Sequence, residues 1–274
     1  MKLNEDNYYT NDANKQYMSV SLLKKFIGSP VEQACEKRAL AELDGLYRED
    51  SSTAMMLGNY VDTCLLEPEK KELFIASHPE MFSTRGKTKG MLKSEYRKAD
   101  IMIERCKGDS FFMSTLKGEH QVIMTADIFG VPFKCKMDVY RKGKYITDLK
   151  TTENIHKTFY DPATRSRMSF IEYYDYILQG AIYQEIVYQN TGERLPFFLS
   201  VVDKGTVPDI EVIQIDTDTL KDKLEINEEM IVSAWSVHQR EVEPIGCGRC
   251  DYCKSIKKLI KPINWLEIGG EIDG

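Results

Sequence analysis

The predicted elements of this 274-residue chain place it in the α/β (α+β) class, with a central mixed sheet flanked by helices. Helical spacing dominates the first part of the chain, three strands follow, and a long helix separates these strands from two more. Strands and helices that follow one another in this way form a sheet with helices packed against it. The composition fits a globular protein, since 42% of the residues are hydrophobic and 29% are charged.

Capping residues and apolar spacing predict the helices that precede the sheet. A serine cap begins a short helix near Met18 that ends at Gly28. Ser29 with Pro30 begins a second helix, which runs to about Leu43. The other elements of this part are a helix over 55–66, a glycine- and lysine-rich loop over 83–93 and a helix over 95–106. The chain is therefore predicted to be mainly helical up to its first strand.

Composition also bounds the domain organisation and the compartment. Residues 1–17 are polar and are expected to be flexible, and residues 18–274 are expected to form a single domain. No apolar run approaches the ~20 residues that span a bilayer, and the N-terminal residues lack the basic and apolar regions of a signal peptide. We therefore predict a cytoplasmic protein with no membrane contact.

A predicted hairpin over 131–152, with the sequence VPFKCKMDVYRKGKYITDLKTT, carries the candidate chemistry. Asp138 lies near the end of its first strand, and Asp148 and Lys150 lie on one face of its second strand. A three-residue loop with Gly143 in the left-handed region puts the two aspartates on the same face, with Cβ atoms roughly 5 Å apart. A two-residue loop would put them on opposite faces.

Two carboxylates at that separation repel each other unless a cation lies between them. Mg²⁺ takes hard oxygen ligands, often one or two carboxylates, and Lys150 beside it would orient a water or stabilise charge on a phosphate. The alternative is an exposed hairpin with scattered charges, because this spacing is common. The hairpin by itself leaves both interpretations open.

The elements after the hairpin begin with a long insert over 153–169 and a helix over 171–190. Tyr176, Gln179 and Tyr183 lie along one face of this helix, and such spacing by itself is typical of core packing. Two strands over 195–203 and 210–215 and a helix over 220–240 complete the predicted elements.

Three of the seven cysteines, Cys247, Cys250 and Cys253, lie so close together in the sequence that core packing hardly explains them. Tetrahedral metal sites and iron–sulfur clusters need four ligands, and Cys35 is the predicted fourth. The alternatives are a site with fewer ligands or a set of thiols in a surface turn. We predict that the N-terminal helices and the cluster at 247–253 pack together.

Several motifs resemble those of a known enzyme superfamily. Asp138 followed by Asp148-Leu149-Lys150 resembles the PD-(D/E)XK nuclease signature, with Met137 where that family has proline. Gln179-Gly-Ala-Ile-Tyr183 is similar to the Gln-x-x-x-Tyr element of the RecB-type branch. The stretches GVPFKCKMDVY, ITDLKTT, LQGAIYQEIV and CGRCDYC resemble phage exonucleases of the exonuclease VIII (RecE-like) type, over most of the chain from about Met18 to the C-terminal cysteines.

The resemblance implies a restriction-endonuclease-like fold and a Mg²⁺ (or Mn²⁺)-dependent exodeoxyribonuclease. Such enzymes degrade the 5′-ended strand of double-stranded DNA in phage-type homologous recombination, inside a bacterial host cell. They leave 3′ tails for a single-strand annealing protein, and processive relatives form homo-oligomeric rings. In such an enzyme Asp138, Asp148 and the Leu149 carbonyl would hold the metal, and Lys150 would help to activate a water. Gln179 and Tyr183 would line the cleft.

The resemblance also suggests residues with lesser roles. Glu119 and Asp62 are candidate additional carboxylates near the metal, although each fits a solvated surface position equally well. The candidate DNA-binding residues are Arg85, Lys87, Lys89, Thr151 and Thr152. Because the net charge of −6 has the wrong sign for a protein that coats nucleic acid, we expect only a local basic track. The loop with Arg85, Lys87 and Lys89 could follow a DNA backbone, although its glycine- and lysine-rich sequence mainly indicates disorder.

Two points stay open after this comparison. Some RecB-type nuclease domains hold a [4Fe–4S] cluster with one upstream and three C-terminal cysteines. The cysteine spacing differs here, so a Zn²⁺ site is the alternative. The function has two alternatives as well: a single-strand or structure-selective nuclease of the helicase-associated type, and a non-catalytic DNA-binding protein with the nuclease fold.

Overall fold

A computed structural model describes residues 1–49, 52–161 and 164–265. It confirms the predicted class, because a five-stranded mixed sheet with the order β1-β2-β3-β6-β7 lies between helices, and a separate pair β4-β5 lies beside it. The strands are β1 (Glu119–Ile128), β2 (Val131–Arg141), β3 (Tyr145–Thr152), β4 (Thr158–Asp161), β5 (Ser166–Ser169), β6 (Phe197–Asp203) and β7 (Ile210–Ile215).

The helices of the described residues surround this sheet. They are α1 (Asn11–Gln16), α2 (Val20–Ile27), α3 (Glu36–Leu43), α4 (Thr53–Leu66), α5 (Lys71–Ser77), α6 (Ser94–Lys107), α7 (Ser110–Thr115), α8 (Phe170–Tyr173), α9 (Tyr176–Thr191), α10 (Thr217–Ile226), α11 (Glu228–His238) and α12 (Asp251–Ser255). Within these described residues, no helix combines the length and apolar character needed to cross a membrane.

Strand pairing explains why the segment between β3 and β6 lies over the candidate site. β1, β2 and β3 form antiparallel hairpins, whereas β3 and β6 run parallel. A parallel pair needs a crossover connection, and β4, β5, α8 and α9 lie in that connection. The crossover therefore places α9 over the strand that carries the candidate catalytic motif.

Two apolar clusters cover the two faces of the sheet. One consists mainly of residues from α2, α3, α9, α10 and α11 packed on β1, β2 and β6. The other consists mainly of residues from α4, α6 and α7 packed against Val139, Leu149 and Val202. Alternation along β3 then directs Asp148 and Lys150 away from Leu149 and toward α9. Each face of the sheet is thus a buried layer, as expected for a strand order that includes a parallel pair.

The structure differs from the prediction for residues 1–17. This segment contains α1, and Tyr8 and Ala13 are buried. The reason lies in β2, where the side chain of Lys134 is 1% exposed. A buried ammonium needs acceptors, and Lys134 donates to the Tyr8 carbonyl and, at 2.8 Å, to Asn14 Oδ1. The N-terminal segment therefore packs on the domain.

Three predicted helices have different bounds in the structure. Ser29 Oγ accepts a hydrogen bond from Glu32 N, but this forms an isolated turn, and the helix begins only at Glu36. The helix predicted over 171–190 is divided at Asp175, which is left-handed (φ +50°) and caps α9. The helix predicted over 220–240 is divided at Asn227. Asp175 Oδ1 accepts from Leu178 N at the start of α9, whereas the Asn227 side chain donates to the Lys223 carbonyl at the end of α10. Asp and Asn are favoured at helix ends because their side chains form such local bonds.

Candidate active site

The β2–β3 hairpin has the loop length that the site requires. Its ladder pairs Arg141 with Tyr145 and Val139 with Thr147, so the loop has three residues. Gly143 is left-handed at φ +67°, as predicted. Continuing this register places Asp138 opposite Asp148. The two carboxylates therefore lie on one face, at neighbouring positions of adjacent strands.

The two aspartates are held by different groups. Asp138 Oδ2 accepts a hydrogen bond of 2.9 Å from Leu149 N, across the hairpin. Asp148 is 2% exposed; its Oδ1 accepts a hydrogen bond of 2.8 Å from Gln179 Nε2, and its Oδ2 lies 2.5 Å from Lys150 Nζ. Asp148 is thus fixed by α9 and by its own strand.

Lys150 carries a positive charge in this environment. Its Nζ lies 2.5 Å from Asp148 Oδ2 and 4.8 Å from the centroid of the Tyr176 ring. Burial lowers the pKa of this amine, but the opposing effects of Asp148, Tyr176 and Asp138 are larger and raise it above its ordinary value. Lys150 is therefore an ammonium at neutral pH, suited to stabilise negative charge rather than to accept a proton.

The carboxylates of the site repel one another. Burial and the charge of Asp148 raise the pKa of Asp138 to about 7, despite the opposing effect of Lys150. Burial and the charge of Asp138 likewise raise the pKa of Asp62 well above its ordinary value. Asp62 comes from α4, which approaches β3 closely: a Cβ on Gly58 would lie 3.5 Å from Thr151 Oγ1. Helix α4 and the hairpin thus bring three carboxyl groups into one electrostatic cluster.

The site formed by Asp138 and Asp148 fits a hard divalent cation, since these two aspartates face each other across the hairpin. Its donors are carboxylate oxygens, which suit Mg²⁺ or Mn²⁺. Among the described residues, Asp148 Oδ2 is buried without a well-aligned hydrogen bond, even though it lies next to the Lys150 ammonium. A cation at this point would relieve the repulsion that raises the pKa values of Asp138 and Asp62.

The other residues of the Gln-x-x-x-Tyr element face the same region. The Tyr183 hydroxyl donates to the Lys136 carbonyl at 3.3 Å, and burial, with a further effect of Asp148, raises its pKa well above the ordinary value. The structure therefore brings together the five predicted catalytic side chains, which are Asp138, Asp148, Lys150, Gln179 and Tyr183. Asp62, which was predicted as a further carboxylate, interacts electrostatically with them.

The remaining predicted residues lie elsewhere. Glu119 is at the exposed start of β1, opposite Tyr140, outside the contacts described above. Thr152 is buried and its carbonyl accepts from Lys204 N, and a DNA contact by its side chain stays a prediction. Thr151 is half-buried against α4. The basic residues Arg85, Lys87 and Lys89 are exposed around a short 3₁₀ turn.

Two residues near the site, Lys24 and Tyr176, make contacts that the sequence did not reveal. Lys24 Nζ donates to the carbonyls of Tyr174 (2.8 Å) and Asp175 (3.0 Å) and lies 5.9 Å from the Tyr176 ring centroid. Burial lowers the pKa of Lys24 to about 8. The helical spacing of Tyr176 with Gln179 was a usable signal for the tyrosine. Lys24 had none, because it contacts residues about 150 positions away.

The four predicted cysteine ligands also come together. Their sulfur atoms all lie within 4.8 Å of one another, and Cys35 Sγ is 3.5 Å from Cys253 Sγ and 3.6 Å from Cys250 Sγ. Burial raises the pKa of Cys247, but hydrogen bonds from backbone N–H groups and neighbouring thiols lower it to about 6. Burial raises the pKa values of Cys35, Cys250 and Cys253 above the ordinary value. Because thiolates are the form that binds metal, an ion bound here would displace protons from these three thiols.

A mixed sheet that carries Asp138 and Asp148-Leu149-Lys150 on one hairpin, beneath a helix with Gln179 and Tyr183, defines the PD-(D/E)XK nuclease superfamily. Residues 19–256 match the model of the PDDEXK-like domain of unknown function (DUF3799), and the chain belongs to this family.

One solved structure is similar over the whole chain. The crystal structure of a "Putative exonuclease" from Eubacterium rectale aligns with a TM-score of 0.93 and 38% sequence identity, over 99% of this chain and 100% of that one. No curated protein matches the chain significantly.

Proposed function

We propose that the protein is a divalent-metal-dependent exodeoxyribonuclease that hydrolyses phosphodiester bonds of double-stranded DNA. The observation that carries this proposal is the arrangement of Asp138 and Asp148 across the hairpin, with the Lys150 ammonium 2.5 Å from Asp148 Oδ2. The name of the similar Eubacterium rectale protein, "Putative exonuclease", supports the same reaction class.

The metal ligands in this proposal are Asp138, Asp148 and the Leu149 carbonyl, with Asp62 as a further carboxylate. The buried Oδ2 of Asp148 and the raised pKa of Asp138 support this assignment. Glu119 is a weaker candidate, since it lies at the exposed start of β1. When bound, Mg²⁺ or Mn²⁺ would supply charge stabilisation on the phosphate and a lowered pKa for a coordinated water.

The side chains around the carboxylates have complementary roles. The Lys150 ammonium would donate hydrogen bonds to the phosphate and offset the charge that develops on its oxygens. Gln179 would keep Asp148 in place through its bond to Oδ1. The Tyr183 hydroxyl, which is held at the Lys136 carbonyl, would steady the DNA phosphate or the nucleophile.

The biological setting rests on the resemblance to exonuclease VIII-type enzymes. This resemblance supports degradation of the 5′-ended strand, with 3′ tails as the product. It also supports a single-strand annealing protein as partner and a ring-shaped homo-oligomer in the cytoplasm of a bacterial host. The exposed basic loop with Arg85, Lys87 and Lys89 would contact the DNA backbone.

The cysteines would hold a structural metal or cluster. The resemblance to RecB-type domains favours [4Fe–4S], whereas sulfur separations of 3.5 and 3.6 Å are close to the ~3.8 Å edge of a tetrahedron with Zn–S bonds of about 2.3 Å. A four-iron cluster holds its thiolates farther apart, because iron and sulfide lie between them. Iron and zinc analysis of anaerobically purified protein, with its visible spectrum, distinguishes the two.

The function is tested by digestion of linear duplex and closed circular plasmid with Mg²⁺, with Mn²⁺ and with EDTA. An exonuclease degrades linear DNA, spares closed circles and stops in EDTA. Preference for single strands or flaps would instead support the helicase-associated type of nuclease, which the cysteine cluster also fits. The variant Lys150→Ala controls for contaminating nuclease, and cleavage that it retains in full would overturn the assignment.

A further inference from the structure

The β4–β5 hairpin connects the two halves of the candidate active site. It begins shortly after β3, which carries Asp148 and Lys150, and it leads directly into α8 and α9, which carries Gln179. Ser169 ends β5 and caps α8 through a capping box with Glu172. The position of the hairpin is therefore fixed relative to the catalytic side chains at both of its ends.

The hairpin has an inner and an outer face. Phe159 pairs with Met168, and its ring stacks on Tyr173 at a centroid distance of 3.7 Å, with the planes 3° apart. This inner face packs on the main apolar cluster. Alternation places the next pair, Tyr160 and Arg167, on the outer face.

The outer face has the chemistry of a phosphate-backbone contact. Its pairs are Thr158 with Ser169 and Tyr160 with Arg167. It therefore contains one cation and three hydroxyl groups, of which the Ser169 hydroxyl donates to the Glu172 carboxylate at 2.8 Å. Tyr160 is 60% exposed. Arginine, tyrosine, threonine and serine are common donors to DNA phosphates. This face thus contrasts with a chain whose net charge is −6.

Arg167 is held in a defined orientation. Its Nε donates to Thr158 Oγ1 at 2.6 Å, and its Nη2 approaches the Thr158 carbonyl at 3.4 Å. Nη1 takes no part in these two bonds. A guanidinium that is already ordered loses little entropy when it binds a phosphate, and its planar donors match phosphate geometry.

We propose that this outer face binds the sugar–phosphate backbone of the duplex DNA that enters the active site. The inference rests on the proposed function and deepens it, because it names a substrate contact outside the catalytic cluster. Its occupant is a polyanion, since the face offers an ordered cation and hydroxyl donors but no aliphatic side chain on which a protein partner would pack.

The surface would act on binding and leave the chemical step unchanged. Loss of one phosphate contact lowers DNA affinity and reduces the slope of log K against log salt concentration by about 0.9. It also raises KM for a long duplex more than it lowers kcat, because Arg167 lies outside the cluster of Asp138, Asp148 and Lys150.

The test measures binding of a fluorescent duplex by anisotropy in EDTA, at several salt concentrations, with the full chain. We expect Arg167→Ala to weaken binding about fivefold to tenfold at low salt, and Arg167→Lys to restore most of it. Tyr160→Ala should weaken binding about twofold to tenfold, because it removes one hydrogen bond from a hydroxyl group. The matched control is Arg105→Ala, an exposed arginine of α6 on the opposite layer of the sheet. Thermal unfolding of each variant establishes that it is folded.

The outcomes separate this inference from the proposed function. If folded Arg167→Ala binds with unchanged affinity and salt slope while the wild type cleaves DNA, the hairpin inference is overturned and the nuclease assignment stands. If Arg167→Ala loses binding but the wild type never cleaves in Mg²⁺ or Mn²⁺, the hairpin inference stands and the nuclease assignment fails. If Arg105→Ala weakens DNA binding equally, the loss is due to the change in net charge and the inference is overturned.

Discussion

The carboxylate site (Asp62, Asp138 and Asp148) and the cysteine site (Cys35, Cys247, Cys250 and Cys253) both gather groups that become anions, but they are built differently. The carboxylate site draws two of its members from paired strands, and it has an internal cation, Lys150, beside Asp148. The cysteine site lies where the start of α3 meets the loop before α12 and α12 itself, and its close contacts are among thiols and backbone N–H groups.

This difference predicts that an ion at the carboxylate site would affect activity, whereas an ion at the cysteine site would affect stability. Hydrogen bonds from Leu149 N and from Gln179 hold the carboxylates in place without an ion, so an ion at that site would serve chemistry rather than folding. The cysteine site joins residues 212 positions apart in the chain, and an ion bound there cross-links the two ends of the domain. Such a link acts on the unfolded chain as well as on the folded one.

The largest expected effect is on catalysis, and it comes from Asp148→Asn. The amide keeps the shape of the side chain but removes the charge that holds Lys150 and the cation, so single-turnover cleavage of linear duplex should fall by at least about a thousandfold. The control Glu211→Gln, at an exposed position of β7, should retain wild-type activity. Substantial cleavage by folded Asp148→Asn would contradict the assignment.

The second expected effect is on stability, and it comes from Cys253→Ser. Loss of one thiolate should release the bound metal and lower the free energy of unfolding by at least about 3 kcal/mol, which corresponds to a fall of about 10 °C in Tm. The measurement is thermal unfolding with metal analysis. Cys106→Ala, an isolated buried cysteine of α6, should keep the metal content unchanged. If Cys253→Ser matches it in both readings, the cysteine site is not a metal cross-link.

The fold was largely predictable because its signals are local. The three-residue loop at Gly143 and the alternation of β3 follow from neighbouring residues, and so does the common face of Asp138 and Asp148. The N-terminal segment was not predictable, because it is fixed by the buried ammonium of Lys134 on a distant strand. The polar sequence of residues 1–17 therefore predicts flexibility, because it contains no sign of its contact with Lys134.

The site was predictable as a motif and less so as a structure. The Gln-x-x-x-Tyr resemblance implies only that Gln179 lines the cleft, whereas the structure shows that it donates to Asp148. The residues that fix this geometry, Lys24 and the left-handed Asp175, act through contacts between α2 and the α8–α9 break. Such contacts depend on tertiary packing, which sequence spacing does not encode.

The third prediction concerns pH and sharpens the account of the carboxylate site. Metal binding requires ionised Asp138, whose pKa is about 7 because of burial and the charge of Asp148. The Mg²⁺ concentration for half-maximal stabilisation should therefore rise about tenfold for each pH unit below 7 and level off above it. Thermal shifts in Mg²⁺ titrations at pH 6, 7 and 8 give this dependence. A flat profile would mean that Asp138 is already ionised at pH 6.

The smallest expected effect is a gain in stability from Asp138→Asn. Folded Asp138 keeps a proton that the unfolded chain releases above its ordinary pKa of 3.8, so its contribution to stability falls as pH rises from about 4 through 7. Removing this carboxyl group should stabilise the metal-free protein at pH 8 by about 1 kcal/mol, or ~2–4 °C in Tm. Mg²⁺ should then no longer raise Tm. Glu211→Gln on β7 should leave both readings unchanged, and a loss of stability in Asp138→Asn would show that the hydrogen bond from Leu149 N outweighs the repulsion.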